Sequence, residues 1–523
     1  MVEWVYSFFI LLKTPRKVWS QDVTANTYDY LIIGGGTAGA VIAARLAEDP
    51  SLRLALLEAG PSDEGDARVL PVRKWMALLG TELDFDYPIE PQARGNSAIR
   101  HSRARVLGGC SSHNSCIAFR APDGDLQRWQ AEGAAGWGAS DCAPFFERVF
   151  ERVHLEEIPD ANPLNRALMD AGVQAGLPQL SFASSASFSE GVGLFQVNVK
   201  EGIRQSSSVA YLHPLHRLPP NLHILTDTTV TCILLDGDNR AIGVESSRGI
   251  LRAEREVILC AGAFDSPKLL LLSGIGPAAH LAEMDIPVRV DLPGVGEHLL
   301  DHPEGVVVWE SSRPIPEPIV QLWEVGLFAR TGIDPDPLPD LMCHFGLMPF
   351  TWHTEPAGYP TAEWGFSLTP NVCRARSEGS VRLRSANPAD PPRIDFRYFT
   401  DLDNYDEQVM VEGVKAARRI AAQPALEEWI VRELAPGQSV QSDAEISAYV
   451  RATANTVYHP AGTCKIGADS DPLAVVDSAL GVRGVAGLRV ADASVFPSMT
   501  TVNPSMTVFM IGERCAALVR GEG

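Results

Sequence analysis

Between Tyr28 and Gly60 the spacing of apolar positions changes character twice. Leu31 to Ile33 is a short apolar run closed by glycines, Ala40 to Leu46 has helical spacing, and Leu54 to Leu57 is a second apolar run. The pattern predicts strand, glycine-rich turn, helix and buried parallel strand, a βαβ unit. From Asn221 to Ser246 apolar and polar residues alternate around a turn at Asp236 to Asn239, which predicts an antiparallel hairpin or meander. Residues 256 to 277 read as a buried strand, a glycine-containing turn and a helix ended by Gly274 and Pro277. Pro-rich stretches at 313–318 and 334–339 read as surface loops and as entry to a second domain. Residues 151–195 carry no sharp motif beyond a serine-rich loop at 181–189, and no internal repeat is visible.

Composition narrows the class. A chain of 523 residues exceeds one ordinary domain, and 44 Gly with 38 Pro imply many turns between short elements. The net charge of −21 gives no footprint for nucleic acid or anionic lipid and mildly favours a cationic substrate. Nine scattered cysteines without ligand spacing suggest neither a disulfide framework nor a metal site, so a reducing, cytoplasmic location is expected. The apolar run from Trp4 to Leu12 is too short to span a bilayer and lacks the basic flank of an export signal. Residues 1–26 therefore read as a loose extension, with no stable membrane insertion.

Three motifs carry chemistry. Gly34, Gly36 and Gly39 occupy G-x-G-x-x-G, where the turn, the approach of backbone to a pyrophosphate and the helix-to-strand packing each exclude a side chain. Glu58 follows Gly36 by 22 positions and ends the second strand, placed to accept a ribose hydroxyl. These features mark a dinucleotide cofactor without distinguishing FAD from NAD. Further on, VLGGCSSHNS at 106–115 sets His113 after a Gly-Gly turn and a serine pair, and a His/Asn pair, His459 and Asn503, lies near the C-terminus.

With RARVLGGCSSHNS at 103–115, GAFDSPKLLLLSGIGP at 262–277, TVYHPAGTCKIG at 456–467 and GLRVADASVFPSMTTVNPSMTV at 487–508, the chain resembles the glucose-methanol-choline oxidoreductase family after Tyr28. The longer matches SSHNSCIAF, DHPEG, GFSLTPNV and NTVYHP bring it nearest the choline-oxidising members. The resemblance implies an α/β fold with a Rossmann-like, discontinuous FAD domain (27–150, 195–303 and 456–523). It also implies an α+β substrate domain (151–194 and 304–455) on an antiparallel sheet, and a homodimer.

The resemblance also implies the site. FAD would lie against Gly34, Gly36, Thr37, Ala38, Gly39, Glu58, Gly108, Gly109, Ser112, His113, Asn114, Val230, Ala261, Gly262, Asp492, Ala493, Asn503 and Pro504, with His113 bonded to the flavin. Such a bond should raise the ring's potential. His459 and Asn503 would contact the substrate oxygen, with His344 a second candidate for the proton and Ser115 close to the flavin. Glu304 would face a quaternary ammonium walled by Trp75, Trp323, Phe350 and Tyr458, and Val457 would border the path of oxygen. The implied reaction takes choline through betaine aldehyde to glycine betaine with O2 reduced to H2O2. An oxidase of other primary alcohols and a choline dehydrogenase with another acceptor stay open.

Overall fold

The computed structural model describes residues 26–182, 189–215 and 219–522. All but one residue of the expected N-terminal extension, and most of the serine-rich loop, lie outside the described residues.

The first sheet has seven strands in the order Leu222–Leu225, Leu54–Leu57, Thr27–Ile33, Gly249–Leu259, Ala241–Ser246 and Val230–Leu235, with Leu488–Val490 against the end of Gly249–Leu259. Thr27–Ile33, Leu54–Leu57, Leu222–Leu225, Leu488–Val490 and the C-terminal half of Gly249–Leu259 run parallel. Leu54–Leu57 is buried at every position, as a parallel strand covered on both faces must be. Val230–Leu235 and Ala241–Ser246 form the expected antiparallel hairpin, with Asn239 in the left-handed region at φ 59°. Leu222–Leu225 departs from expectation: it pairs in parallel with Leu54–Leu57 and extends the Rossmann-like sheet. Alternation around the turn predicted the hairpin but could not assign this strand a partner more than 160 residues away in sequence.

Helix Thr37–Leu46 follows the fingerprint, and the C-terminal helix Ser505–Arg520 packs across it. The two approach so closely that a Cβ on Gly512 would lie 2.9 Å from Val41 Cβ. Arg45 and Glu513 tie them with an ion pair of 2.8 Å, and Tyr211 donates to the same carboxylate at 2.6 Å.

The second sheet is antiparallel and eight-stranded, ordered Ile430–Ala435, Val307–Ser311, Gly365–Val372, Leu341–Gly346, Trp323–Ala329 and Gly191–Leu194, with Pro303–Glu304 and Asn455–Thr456 attached at one side. Helix Tyr405–Ala421 covers it with a stripe that includes Val409, Met410, Gly413, Val414, Ala417 and Ile420. A Cβ on Gly413 would lie 2.7 Å from Pro370. Both Pro-rich loops lie between strands of this sheet and neither opens it: 334–339 joins the neighbours Trp323–Ala329 and Leu341–Gly346, whereas 313–318 leads from Val307–Ser311 past two intervening strands to Trp323–Ala329. Helix Pro163–Gln174, capped by the Asn162 side chain, fills the stretch that sequence left without a motif. Each sheet has its own apolar core, and the two cores meet around a deep cavity. Among the described residues no helix is long and apolar enough to cross a membrane.

Candidate active site

The cavity, about 740 Å3, runs from the fingerprint to the antiparallel sheet. Its first wall is made by backbone. Gly34 turns at φ +100°, and a Cβ on Gly39 would lie 2.0 Å from the Gly34 carbonyl, so neither position admits a side chain at this spacing. Helix Thr37–Leu46 starts with no side-chain cap, leaving backbone N–H groups to receive an anion. Gly36, Thr37, Ala38, Glu58, Gly109, His113, Asn114, Val230, Ala261, Gly262, Asp492, Ala493, Asn503 and Pro504 all line the space. Gly39, Gly108 and Ser112 do not: Gly39 lies in the helix against the Gly34 carbonyl, Gly108 turns at φ +88°, and the Ser112 hydroxyl is donated to the Leu107 carbonyl at 2.8 Å. The structure places these three directly behind the residues that line the cavity, where they support its backbone.

Glu58 accepts the Gly35 and Gly60 N–H groups at 2.9 and 2.8 Å, and burial raises its carboxyl to about 7 against those two bonds. Asp492 accepts Gly262 N–H at 2.9 Å and Ser266 Oγ–H at 2.6 Å, joining the loop before helix Gly262–Leu272 to the C-terminal segment. The buried polar atoms on cavity-lining residues that lack a protein partner include His113 Nε2 and Asn503 Oδ1. An uncapped helix, a terminal acid and these orphans suit FAD.

The second wall is made by side chains. His302 Nε2 lies 2.6 Å from the Cys373 carbonyl and 2.9 Å from the Thr500 carbonyl. Both are acceptors, so Nε2 carries the proton and Nδ1 of neutral His302 is an acceptor. His302 Nδ1 faces His459 Nδ1 at 2.8 Å, so His459 must donate there, and its Nε2 keeps a free lone pair. Burial first, then His302, His344 and Arg103, hold His459 well below the usual imidazole range. It is thus an unprotonated base at neutral pH.

Asp301 anchors this segment. It accepts the His459 backbone N–H at 2.9 Å, the Tyr398 hydroxyl at 2.6 Å and the Thr456 hydroxyl at 2.5 Å. Burial raises its carboxyl, but His101, Thr456 and Tyr398 outweigh that and hold it below the usual carboxylate value.

Glu304 is buried on Pro303–Glu304, opposite Asn371 on one side and Asn455 on the other. Burial pushes its carboxyl up to about 8, while the Thr369 and Asn455 side chains favour the charged form. His344 Nδ1 lies 3.8 Å from Glu304, and burial, then His302, push that imidazole down to about 3. Beyond them Trp75, Trp323, Phe350 and Trp352 form a chain of ring contacts, with successive centroids 5.4, 5.8 and 4.8 Å apart. Tyr458, at φ +65°, stands apart from this chain, against His101 and near Glu304. Ser115 and Val457 also line the cavity.

Sequence reading missed His302, Asp301, Asn455 and Trp352. The Asp-His pair stands directly before Pro303–Glu304 in a matched motif, a signal that could have directed attention to His302.

Family models described as GMC oxidoreductase match residues 28–304 and 375–512. The chain belongs to the GMC oxidoreductase family. As a member it is a FAD-dependent oxidoreductase acting on CH–OH donors. It is 50% identical to choline oxidase of Arthrobacter globiformis, over 96% of this chain and 95% of that one. It is 37% identical to mitochondrial choline dehydrogenase of Mus musculus, covering 96% and 90%. Among solved structures it resembles pyridoxine 4-oxidase from Mesorbium loti, with TM-score 0.87 and 31% identity, covering 95% of this chain and all of that one.

Proposed function

We propose that this GMC oxidoreductase is a choline oxidase, converting choline through betaine aldehyde to glycine betaine and passing electrons to O2. The observation that carries the reading is one cavity holding a tautomer-fixed imidazole, His459, with a buried acid, Glu304, and an aromatic wall. A quaternary ammonium has no N–H to donate, so it is held by negative charge and by ring faces. Glu304 supplies the first, and Trp75, Trp323, Phe350 and Tyr458 the second. That grip directs the hydroxyl toward His459 and Asn503.

His459 Nε2 takes the hydroxyl proton, and the Asn503 carboxamide donates a hydrogen bond to the oxygen as negative charge grows on it. His302 stabilises the imidazolium through the Nδ1 contact. His344 orients substrate beside Glu304, since its Nδ1 is engaged by the Asn371 amide at 3.4 Å and Glu304 at 3.8 Å, whereas His459 keeps Nε2 free. Ser115 contributes a hydroxyl near the reacting carbon, and Val457 keeps an apolar surface for O2. FAD, when bound, would supply the acceptor for the hydride leaving the carbon and a route for its two electrons to O2, giving H2O2. The aldehyde's hydrate presents the same hydroxyl geometry for a second round.

His113 is proposed to bond covalently to the flavin through its unpartnered Nε2. Burial, then Arg204 and Arg103, outweigh Asp84 and bring this imidazole down to about 4, so it is neutral and nucleophilic. The domain division at 27–150, 195–303 and 456–523 against 151–194 and 304–455, a homodimeric unit and a cytoplasmic location belong to the same proposal. All nine cysteines being unpaired supports that location.

The test is peroxide release from choline, betaine aldehyde and uncharged primary alcohols. Choline should lead by kcat/KM. Equal rates with the uncharged alcohols would make this an oxidase of general primary alcohols, and bleaching by choline without peroxide would make it a dehydrogenase.

A further inference from the structure

We propose that Ser102 and Asp84 form the proton path that readies His113 for attachment to the flavin, a positioning role that rests on the His113 reading above. Asp84 and Ser102 lie on adjacent antiparallel segments joined by the Asp84–Ala104 bridge. Asp84 already accepts three backbone N–H groups, those of Gly80 at 2.8 Å and of Asp86 and Arg103 at 2.9 Å each. Its remaining contact is Ser102 Oγ at 2.8 Å, so the hydroxyl donates its proton there. The Ser102 oxygen then faces His113 Nδ1 at 3.4 Å with only lone pairs. Nδ1 must therefore carry the hydrogen, which strips it from Nε2, the buried atom without a partner. The same construction fixes His459 through His302, so the cavity holds two imidazoles of opposite use: one base, one nucleophile.

In the bond-forming step Nε2 gives its lone pair to the flavin's methyl carbon, that carbon loses one proton, and the Nδ1 proton passes through Ser102 toward Asp84. Two electrons are left on the ring, and dioxygen takes them with the two protons as H2O2. Asp84, Arg103 and Arg204 are the charged groups that bear on His113; the two arginines favour the neutral ring and Asp84 receives its proton.

Acid precipitation of the purified holoprotein, with intact mass, reads the linked fraction independently of turnover. Wild type should keep its flavin and His113→Asn should release all of it. Ser102→Ala should bind flavin stoichiometrically yet link it at least tenfold more slowly, and Ser102→Thr should restore linking. Raising the pH from 7 to 9 should speed linking in Ser102→Ala more than in wild type, a response that a merely structural loss would not give. Asp84→Asn, which keeps an acceptor oxygen and removes the charge, should also slow linking. Linking at the wild-type rate in both Ser102→Ala and Asp84→Asn overturns the proton path while leaving His113 as the attachment point. A wild-type protein that releases its flavin on denaturation overturns both.

Discussion

The two walls of the cavity solve different problems by different means. The fingerprint wall recognises through backbone: turns with no room for Cβ, an uncapped helix and one acid held by two amides. The opposite wall recognises through side chains set on antiparallel strands, where Glu304, His344 and Trp323 stand at buried positions. Backbone recognition suits the phosphate end of FAD. Side-chain recognition lets a related chain keep the strands and change the substrate.

Breaking each wall should therefore fail differently. Gly39→Val places atoms inside the Gly34 carbonyl, and a strain of more than about 3 kcal/mol is expected, with colourless, low-melting protein. Flavin content and Tm check it. On the other wall His459→Ala should keep flavin and fold but slow anaerobic flavin reduction about 10³-fold, since the base is lost and nothing behind it changes. His302→Ala frees the His459 tautomer without touching substrate. Its rate should fall by roughly 10², with KM for choline little changed.

Glu304→Gln sharpens the division within the side-chain wall. Removing the counter-charge should weaken choline by about 2 kcal/mol, roughly 30-fold, and leave an uncharged isostere such as 3,3-dimethylbutan-1-ol unaffected. The smallest effect is in pH. Glu304 sits up near 8, so choline affinity should rise about tenfold between pH 7 and pH 9 and then level, as the carboxylate forms. His459 and His344 are already neutral across that window. The sign for stability is opposite. A carboxyl raised above its unfolded value contributes stability at low pH that is lost as pH climbs toward 8, so the ligand-free protein should melt lower at pH 9 than at pH 6. Choline should offset that loss, and Glu304→Gln should flatten both curves.

The contrast also explains what the sequence could tell. The fingerprint glycines and the strand Leu54–Leu57 are legible because their demands are local: a turn, a missing Cβ, a four-residue apolar run. Leu222–Leu225 was misread because parallel pairing is decided by a distant partner. Leu341–Gly346 and Gly365–Val372 are buried at every position, so no alternation separates cavity-facing His344, or Asn371 beside it, from core. Only the family resemblance singles out His344, Glu304 and Asn503. His302 shows what motif matching leaves out. Its role depends on two carbonyls, Cys373 and Thr500, which belong to segments more than 70 residues away. The Asn162–Pro163 start of the helix Pro163–Gln174 was legible in principle, as a capping residue followed by proline at the first turn.

The central claim is that one fixed imidazole and one buried acid act together on a cationic alcohol. Anaerobic stopped-flow mixing of choline with wild type, Glu304→Gln and His459→Ala tests it most directly. The account predicts rapid bleaching in wild type, a weakened half-saturation with nearly normal limiting rate in Glu304→Gln, and a collapsed limiting rate at unchanged half-saturation in His459→Ala. A flavin spectrum that choline leaves unaltered in wild type, or variants whose two defects are interchanged, would contradict it.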